Sequence, residues 1–391
     1  MDERIQFVAD HLHGAFTFAE LCRRYSISRP TGYELIRRYQ AEGPSGLSPR
    51  SRRPHTHPQA TAPELARAIV AMRRKHSDWG PVTIIERLRL SAPDRAWPAP
   101  STAGAILKAH GLIAPRRRRP PSAVSTRPTT AMEVPNAVWT IDFKGEFRTG
   151  DHAWCYPLTV MDGCSRDLLD CRALAAPRTE PTRMVLEAVF REFGLPTRIR
   201  SDNGVPFAGP TTVARLSRLA VWWIRLGIIP ERIQPGCPAQ NGRHERMHRT
   251  LKRRTARPPA GNRAAQQRRF GAFRREYNDE RPHHALNALT PAMVYVPSDR
   301  ALPTCLPPMI YPGHYDVRVV MSNGCMKWRN RMVSISDVLV GEPVGLEEID
   351  DGAWAVYFGP LRLGTLDERR GPIQPYGQIR EGRSPAQAGS R

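Results

Sequence analysis

Lysine is almost missing from this chain: only five of its 59 basic residues are lysines, at positions 75, 108, 144, 252 and 327. Paired cysteines are missing too. The seven cysteines are an odd number and include no Cys-x-x-Cys, which argues against a disulfide framework and for reduced thiols in a cytosolic compartment. Long apolar runs are also lacking, since the best candidate, Leu219 to Ile229, is broken by Arg225, so no membrane span is expected. The first residues carry Asp2 and Glu3 with no apolar signal core, so secretion is not expected either. Acidic residues are in deficit, 37 against 59 bases.

What is present is a soluble, globular composition of 391 residues, 40% hydrophobic and 25% charged, long enough for two to four domains. Its net charge of +22 calls for a polyanionic partner, and arginine forks suit phosphate. A GC-rich gene would write the same arginine bias, but not the charge excess. Residues 1–119 hold 21 bases and 10 acids, half of that excess in under a third of the chain. Nucleic acid is the expected partner.

Along the chain the periodicity changes three times. Phe18, Leu21, Cys22 and Tyr25 recur at helical spacing, and a Ser26-Ile27-Ser28 turn follows. Ser28 then caps a helix with Leu35, Ile36 and Tyr39. This predicts a helix-turn-helix over 1–45, with Arg29, Thr31 and Arg37 as candidates to face DNA. A Pro/Ser/Arg linker from Gly43 to Pro58 leads to a second helix-turn-helix-like unit over 60–115, with Ser101 as a candidate cap for its last helix. A basic, Pro-rich linker is expected at 116–135. Strand-like runs then occupy 138–143, 154–162, 168–174 and 197–201. Among them alternate helical stretches through Met184–Val189 and Leu216–Trp223, and a basic helix from about Ala239. The pattern predicts a mixed α/β sheet over 136–300. From Asp316 the period is two again, with Asn323-Gly324 and Asp351-Gly352 as hairpin turns, which predicts a small β-barrel over 313–367. The tail at 368–391 has little apolar content and is expected to be disordered.

Three acids stand out against this texture. Asp142 and Asp202 close or interrupt strand-like runs, and Glu245 opens the basic helix. Carboxylates are hard oxygen donors that hold magnesium or manganese while leaving positions open for water and phosphate oxygens. Any one of them alone is more often a turn or cap residue.

The strings around them are more specific. Trp139-Thr140-Ile141-Asp142-Phe143-Lys144-Gly145, Val160-Met161-Asp162, Ser201-Asp202-Asn203-Gly204-Val205-Pro206-Phe207 and Gln240-Asn241-Gly242-Arg243-His244-Glu245-Arg246-Met247-His248-Arg249-Thr250-Leu251-Lys252 are followed by Tyr277-Asn278, Arg281-Pro282-His283 and Leu289-Thr290-Pro291. In these residues the chain resembles the retroviral-integrase-like transposases of bacterial insertion sequences, in particular the IS481 branch near IS3. The resemblance implies an RNase H-like core whose Asp142, Asp202 and Glu245 are both the catalytic residues and the ligands of Mg2+ or Mn2+, two ions in all. It also implies recognition of terminal inverted repeats by the N-terminal units, strand cleavage, and strand transfer by the freed 3′-hydroxyl. Asn203 and Gly204 would then shape the loop beside the second acid, and Gln240, Asn241 and Gly242 would set the start of the Glu245 helix. Arg246, Arg249, Lys252 and Arg253 would run along DNA phosphates.

The chain departs from the family pattern in two places. Forty-two residues lie between Asp202 and Glu245; the shorter spacing common in the wider family would land on Pro238, which cannot ligate metal. The Gln-Asn-Gly context selects Glu245 over Glu231. Cys237 and Ala239 also stand where related sequences commonly have His and Gln, and no His-His-Cys-Cys module precedes the core. The alternatives are a terminal-repeat-binding protein without catalysis, and an RNase H-like nuclease that cuts without joining. Joining two DNA ends implies a dimer or larger assembly on DNA, in the nucleoid of a bacterial cytoplasm.

Overall fold

A computed structural model describes residues 2–50, 60–113, 130–209, 212–234, 237–369 and 372–375, and divides into two compact units, Met1–Ala62 and Pro63–Arg391. The linker expected at 116–135 lies outside the described residues up to 129, as does most of the expected tail.

The first unit packs helices α1 (Asp2–His13), α2 (Phe18–Arg24) and α3 (Arg29–Glu42) around Phe7, Val8, Leu21, Cys22, Leu35 and Ile36. Thr17 and Glu20 form a reciprocal capping box on α2, the Glu20 carboxylate accepting from Thr17 N at 3.0 Å. Ser28 caps α3 through Thr31 N, as its position predicts. Gly32 lets the helices cross closely, because a Cβ there would sit 2.9 Å from the Phe18 ring. The linker begins later than expected. Residues Gly43–Leu47 form a 3-10 turn whose Leu47 is buried in this core.

The second unit opens with α4 (Pro63–Lys75), α5 (Pro81–Ser91) and α6 (Pro100–Ala109). Proline begins each, where its missing N–H costs nothing. Helix α6 is thus capped at Ala99 rather than at Ser101, which lies inside it. Ile69, Trp79, Ile84, Ile85 and Leu107 fill the core of this module.

The central sheet is built from β1 (Val138–Phe143), β2 (Phe147–Arg148), β3 (Trp154–Asp162), β4 (Leu168–Leu174), β5 (Arg198–Ser201) and β6 (Ile229–Arg232). Its main path runs β4-β3-β1-β5-β6, and the short β2 extends the turn beside β3. Strands β1, β3 and β4 are antiparallel, while β5 joins β1 and β6 joins β5 in parallel. Helices α7 (Thr179–Phe193) and α8 (Arg218–Arg225) cover one face, packing Leu186, Phe190, Trp222 and Trp223 on Trp139 and Ile141. Helices α9 (Gly242–Thr255) and α10 (Arg263–Arg275) cover the other through Met247, Leu251, Phe270 and Phe273. A mixed sheet covered by helices on both faces is the architecture the alternating pattern predicts for this segment. Helix α10, capped by Asn262, was not anticipated. A short helix α11 (Pro291–Val294) ends the core.

The C-terminal segment forms β7 (Asp316–Val319), β8 (Cys325–Trp328), β9 (Arg331–Ser334), β10 (Pro343–Asp350), β11 (Ala353–Phe358), β12 (Leu361–Asp367) and β13 (Ile373–Pro375). Gly324 and Gly352 take the left-handed φ that glycine permits, 75° and 71°; Gly352 closes the β10–β11 hairpin as expected, whereas Gly324 lies between β7 and β8, which do not pair with each other. The expected barrel needs correcting. Among the described residues the strands make an open antiparallel sheet, β13-β12-β11-β10-β7, and a separate β8-β9 hairpin. The two share one core with the outer side of α8, where Ala220, Val221 and Ile224 meet Trp328, Val356 and Phe358, so helix rather than further strand covers that face. The disordered tail expected from 368 is also corrected in part, since β13 pairs with β12.

Candidate active site and its basic surroundings

Side chains alternate across β1. Trp139 and Ile141 enter the core under α7 and α8, so Thr140 and Asp142 face α9. There Asp142 meets the helix that carries Glu245 in its first turn, where the helix field favours an anion. Asp202 follows the last residue of β5, the parallel neighbour of β1, and its Oδ1 accepts from Gly204 N at 3.1 Å. Burial, then Asp202, and more weakly Glu245 push the Asp142 carboxyl up to about 7, against the pull of Lys144. The three acids therefore share one electrostatic neighbourhood. Among the described residues, however, no three His, Cys, Asp or Glu side chains stand close enough to enclose an ion.

Behind Asp142 lies a buried polar chain. His248 Nδ1 is 3.5 Å from Asp142 Oδ2, and Thr159 Oγ1 lies 2.7 Å from His248 Nε2 and 2.6 Å from His244 Nε2. The other ring nitrogen of His244 meets Thr140 Oγ1 at 2.7 Å. Thr159 also sits 3.0 Å from the Asp142 carbonyl. One hydroxyl proton cannot serve all three acceptors, so at least one imidazole donates to Thr159. Burial drives His244 down to about 3 and His248 well below its ordinary range, so both rings are neutral. Sequence reasoning missed this network. Its one signal was two histidines four apart on the helix face that carries Met247 and Leu251.

In front of Asp142 a pocket of about 740 Å³ is lined by Asp142, Lys144, Glu245, Arg249, Lys252 and Arg253 among others. Arg249 and Lys252 thus stand on the face of α9 that carries Glu245. Arg253 reaches this wall as well, but its guanidinium also pairs with Asp78 at 3.3 Å. Arg246 turns to the other flank of the helix. In the first unit Arg29, Thr31 and Arg37 all lie on exposed positions of α3, Thr31 sharing the Ser28 cap and Arg37 pairing with Glu34.

Asn203 Nδ2 donates to Ile233 O at 2.8 Å, tying the loop after Asp202 to the end of β6. Gln240 Oε1 accepts from Gln234 N at 2.7 Å, and Asn241 is buried at the start of α9. Glu231 is engaged elsewhere: it lies opposite Arg200 in the β5–β6 register and accepts from Arg200 Nε at 2.9 Å, both side chains largely buried. Asp162 is structural too, its carboxylate accepting from Ser165 N and Oγ and from Asn136 N to close the β3–β4 turn.

Comparison with known proteins first defines a class. Residues 133–238 and 226–291 match two integrase core domain families, while 3–55 match a helix-turn-helix domain and 31–107 a homeodomain-like domain. A further segment, residues 315–374, is similar to the C-terminal domain of IS481 family transposases. The resemblance read from the sequence strings is thereby borne out. Relatives include an uncharacterized 31.7 kDa protein of insertion element IS407 from Burkholderia multivorans, 29% identical over 46% of this chain and 64% of its own length. Another is an uncharacterized 39.2 kDa protein of insertion element IS476 from Xanthomonas euvesicatoria, 29% identical over 41% of this chain. The chain spans 64% and 45% of these two relatives, less than two thirds of each. Similar solved structures include a simian T-cell lymphotropic virus intasome with PP2A regulatory subunit B56 gamma, with TM-score 0.37, 15% identity and coverage of 75% of this chain and 91% of that one. The HTLV-2 integrase catalytic core domain in complex with magnesium gives TM-score 0.31 and 14% identity over 41% of this chain and 97% of that one.

Proposed function

We propose that this protein is a DNA transposase whose Asp142, Asp202 and Glu245 form the catalytic centre. In this reading it binds terminal inverted repeats through its N-terminal units, cuts the DNA strand and joins the freed 3′-hydroxyl to target DNA. The observation that supports it most is the electrostatic strain on Asp142, whose carboxyl resists ionising because it is buried near two other acids. A divalent cation relieves that kind of strain, and the all-carboxylate donor set fits Mg2+ or Mn2+ in kind. Bound there, two such ions would activate the attacking oxygen and stabilise the leaving one in an in-line displacement.

The protein's own residues do the rest. Neutral His248 stands behind Asp142, its Nδ1 3.5 Å from Oδ2, while the first turn of α9 presents Glu245 to the same pocket. Arg249 and Lys252 line the wall along which a phosphodiester would lie. Asn203 and the Gln240–Gln234 pair fix the two loops that bring the second and third acids in. Two ends must be joined together, so the working form is an oligomer on DNA.

Asp142→Asn, Asp202→Asn and Glu245→Gln should each lower strand cleavage and strand transfer with Mg2+ by at least roughly a thousandfold while DNA binding persists. A variant that still cleaves removes its residue from the site. With the wild type, cut product without joined product identifies a nuclease, and a shifted but uncut substrate identifies a binding protein.

A further inference from the structure

The motif Arg281-Pro282-His283 lies outside the catalytic pocket and has no task in the mechanism above. It forms one wall of a separate pocket of about 400 Å³ on the other flank of α9, reached also by Thr83 of α5. Four guanidiniums converge there. Arg166 comes from the β3–β4 turn, Arg243 and Arg246 from α9, and Arg281 from the motif, while no acid is among the lining residues. Arg281 has Asp78 behind it at 2.9 Å and Arg243 donates to the Gly163 carbonyl. Arg166 Nε is buried with no hydrogen-bond partner, and so is His283 Nε2.

Such an arrangement is expensive as it stands. A buried polar nitrogen without a partner has given up its water for nothing in return, and the loss is greater when the group is charged. The repulsion registers in the groups themselves. Burial, then Arg243 and Arg246 lower the Arg166 guanidinium, while burial and three of the arginines drive His283 down to about 3. His283 therefore cannot add a fifth positive charge, and its ring offers neutral hydrogen-bonding nitrogens. The ring of Tyr277 packs edge-on against it, with centroids 5.0 Å apart, and gives the pocket a rigid apolar floor. A cation is excluded from this setting, whereas an oxoanion would meet the Arg166 and Arg246 side chains together.

We propose that this pocket is a phosphate-binding site distinct from the catalytic centre, and that its occupant is a backbone phosphate of duplex DNA. The preference for an oxoanion stands on the pocket alone. The choice of DNA over free phosphate or a nucleotide rests on the proposed function. The pocket is larger than one phosphate requires, which leaves room for the sugar that a phosphodiester brings with it.

The test uses the full chain with EDTA present, so that no strand chemistry enters. Binding of a duplex is followed by fluorescence anisotropy against salt. Arg166→Gln and Arg246→Gln should each weaken binding about tenfold and lower the slope of log K against log salt by about one. Arg246 is solvent-exposed, so its substitution does not threaten folding, and Arg246→Lys should keep the slope. Arg191→Gln, an exposed arginine on α7, should change neither quantity. Wild-type slopes in both Gln variants overturn the DNA assignment. If inorganic phosphate, titrated alone, then raises the Tm of the wild type but not of those variants, the occupant is free phosphate; if it raises neither, the site itself is overturned. Failure of strand transfer would sink the enzymatic reading without moving any of these results.

Discussion

Asp142 is held at the meeting point of burial and like charge, and this has a measurable consequence at the scale of the single residue. Its folded pKa of about 7 lies above the ordinary carboxylate value of 3.8. The folded state therefore binds the proton more tightly, and that contribution to stability is lost as pH rises from about 4 through 7. Metal-free protein should lose on the order of 4 kcal/mol over this window, a slope that Asp142→Asn removes; equal slopes in both urea titrations would contradict it. Glu231→Gln should behave oppositely to the catalytic variants. It should destabilise the fold by about 2–4 kcal/mol through the stranded Arg200 while leaving the chemistry per folded molecule intact. The helix that carries Glu245 was legible in the sequence, because the Gln-Asn-Gly context marks its start. The Thr140, Thr159, His244 and His248 network was not, since its threonines and histidines bond across 85 to 104 residues and only the packing of α9 on β1 and β3 brings them together.

At the scale of elements, α9 is used on every side. His244, Met247, His248 and Leu251 face the sheet, Glu245 and Arg249 face the pocket in front of Asp142, and Arg243 and Arg246 face the second pocket. Its last turn grips the α4–α6 module. Arg254 and Arg281 pair with Asp78 at 2.7 and 2.9 Å, and His76 Nδ1 meets Glu276 at 2.8 Å. Burial alone would raise Asp78, but the arginines outweigh it and hold the carboxyl below its ordinary value. Asp78→Ala should cost about 2–4 kcal/mol, read from the denaturation midpoint, because it leaves charges unmatched in a largely buried setting. An unchanged midpoint would mean the ion pairs contribute nothing. The strands β1, β3 and β4 were legible to the residue because their apolar runs end at turn signals. Helix α10 was not, because its arginines dilute the apolar face formed by Phe270 and Phe273, so only the Asn262 cap marks it. The barrel expectation failed for a related reason: alternation reveals strands but not whether a helix caps the sheet they form.

At the scale of the whole molecule, the charge excess dominates. DNA affinity should fall steeply with salt, by about three orders of magnitude between 50 and 200 mM for six or more phosphate contacts. A flat response would remove the basic surfaces from the DNA interface. Among the described residues no helix is long and apolar enough to cross a membrane. The fixed span of α9 from Glu245 to Arg254 has a consequence of its own. Each residue turns a helix by about 100° and advances it 1.5 Å. Inserting a single alanine after Thr250 would leave every side chain in place by name yet swing Arg253 and Arg254 off Asp78. The spacing in this stretch is thus as binding as spelling.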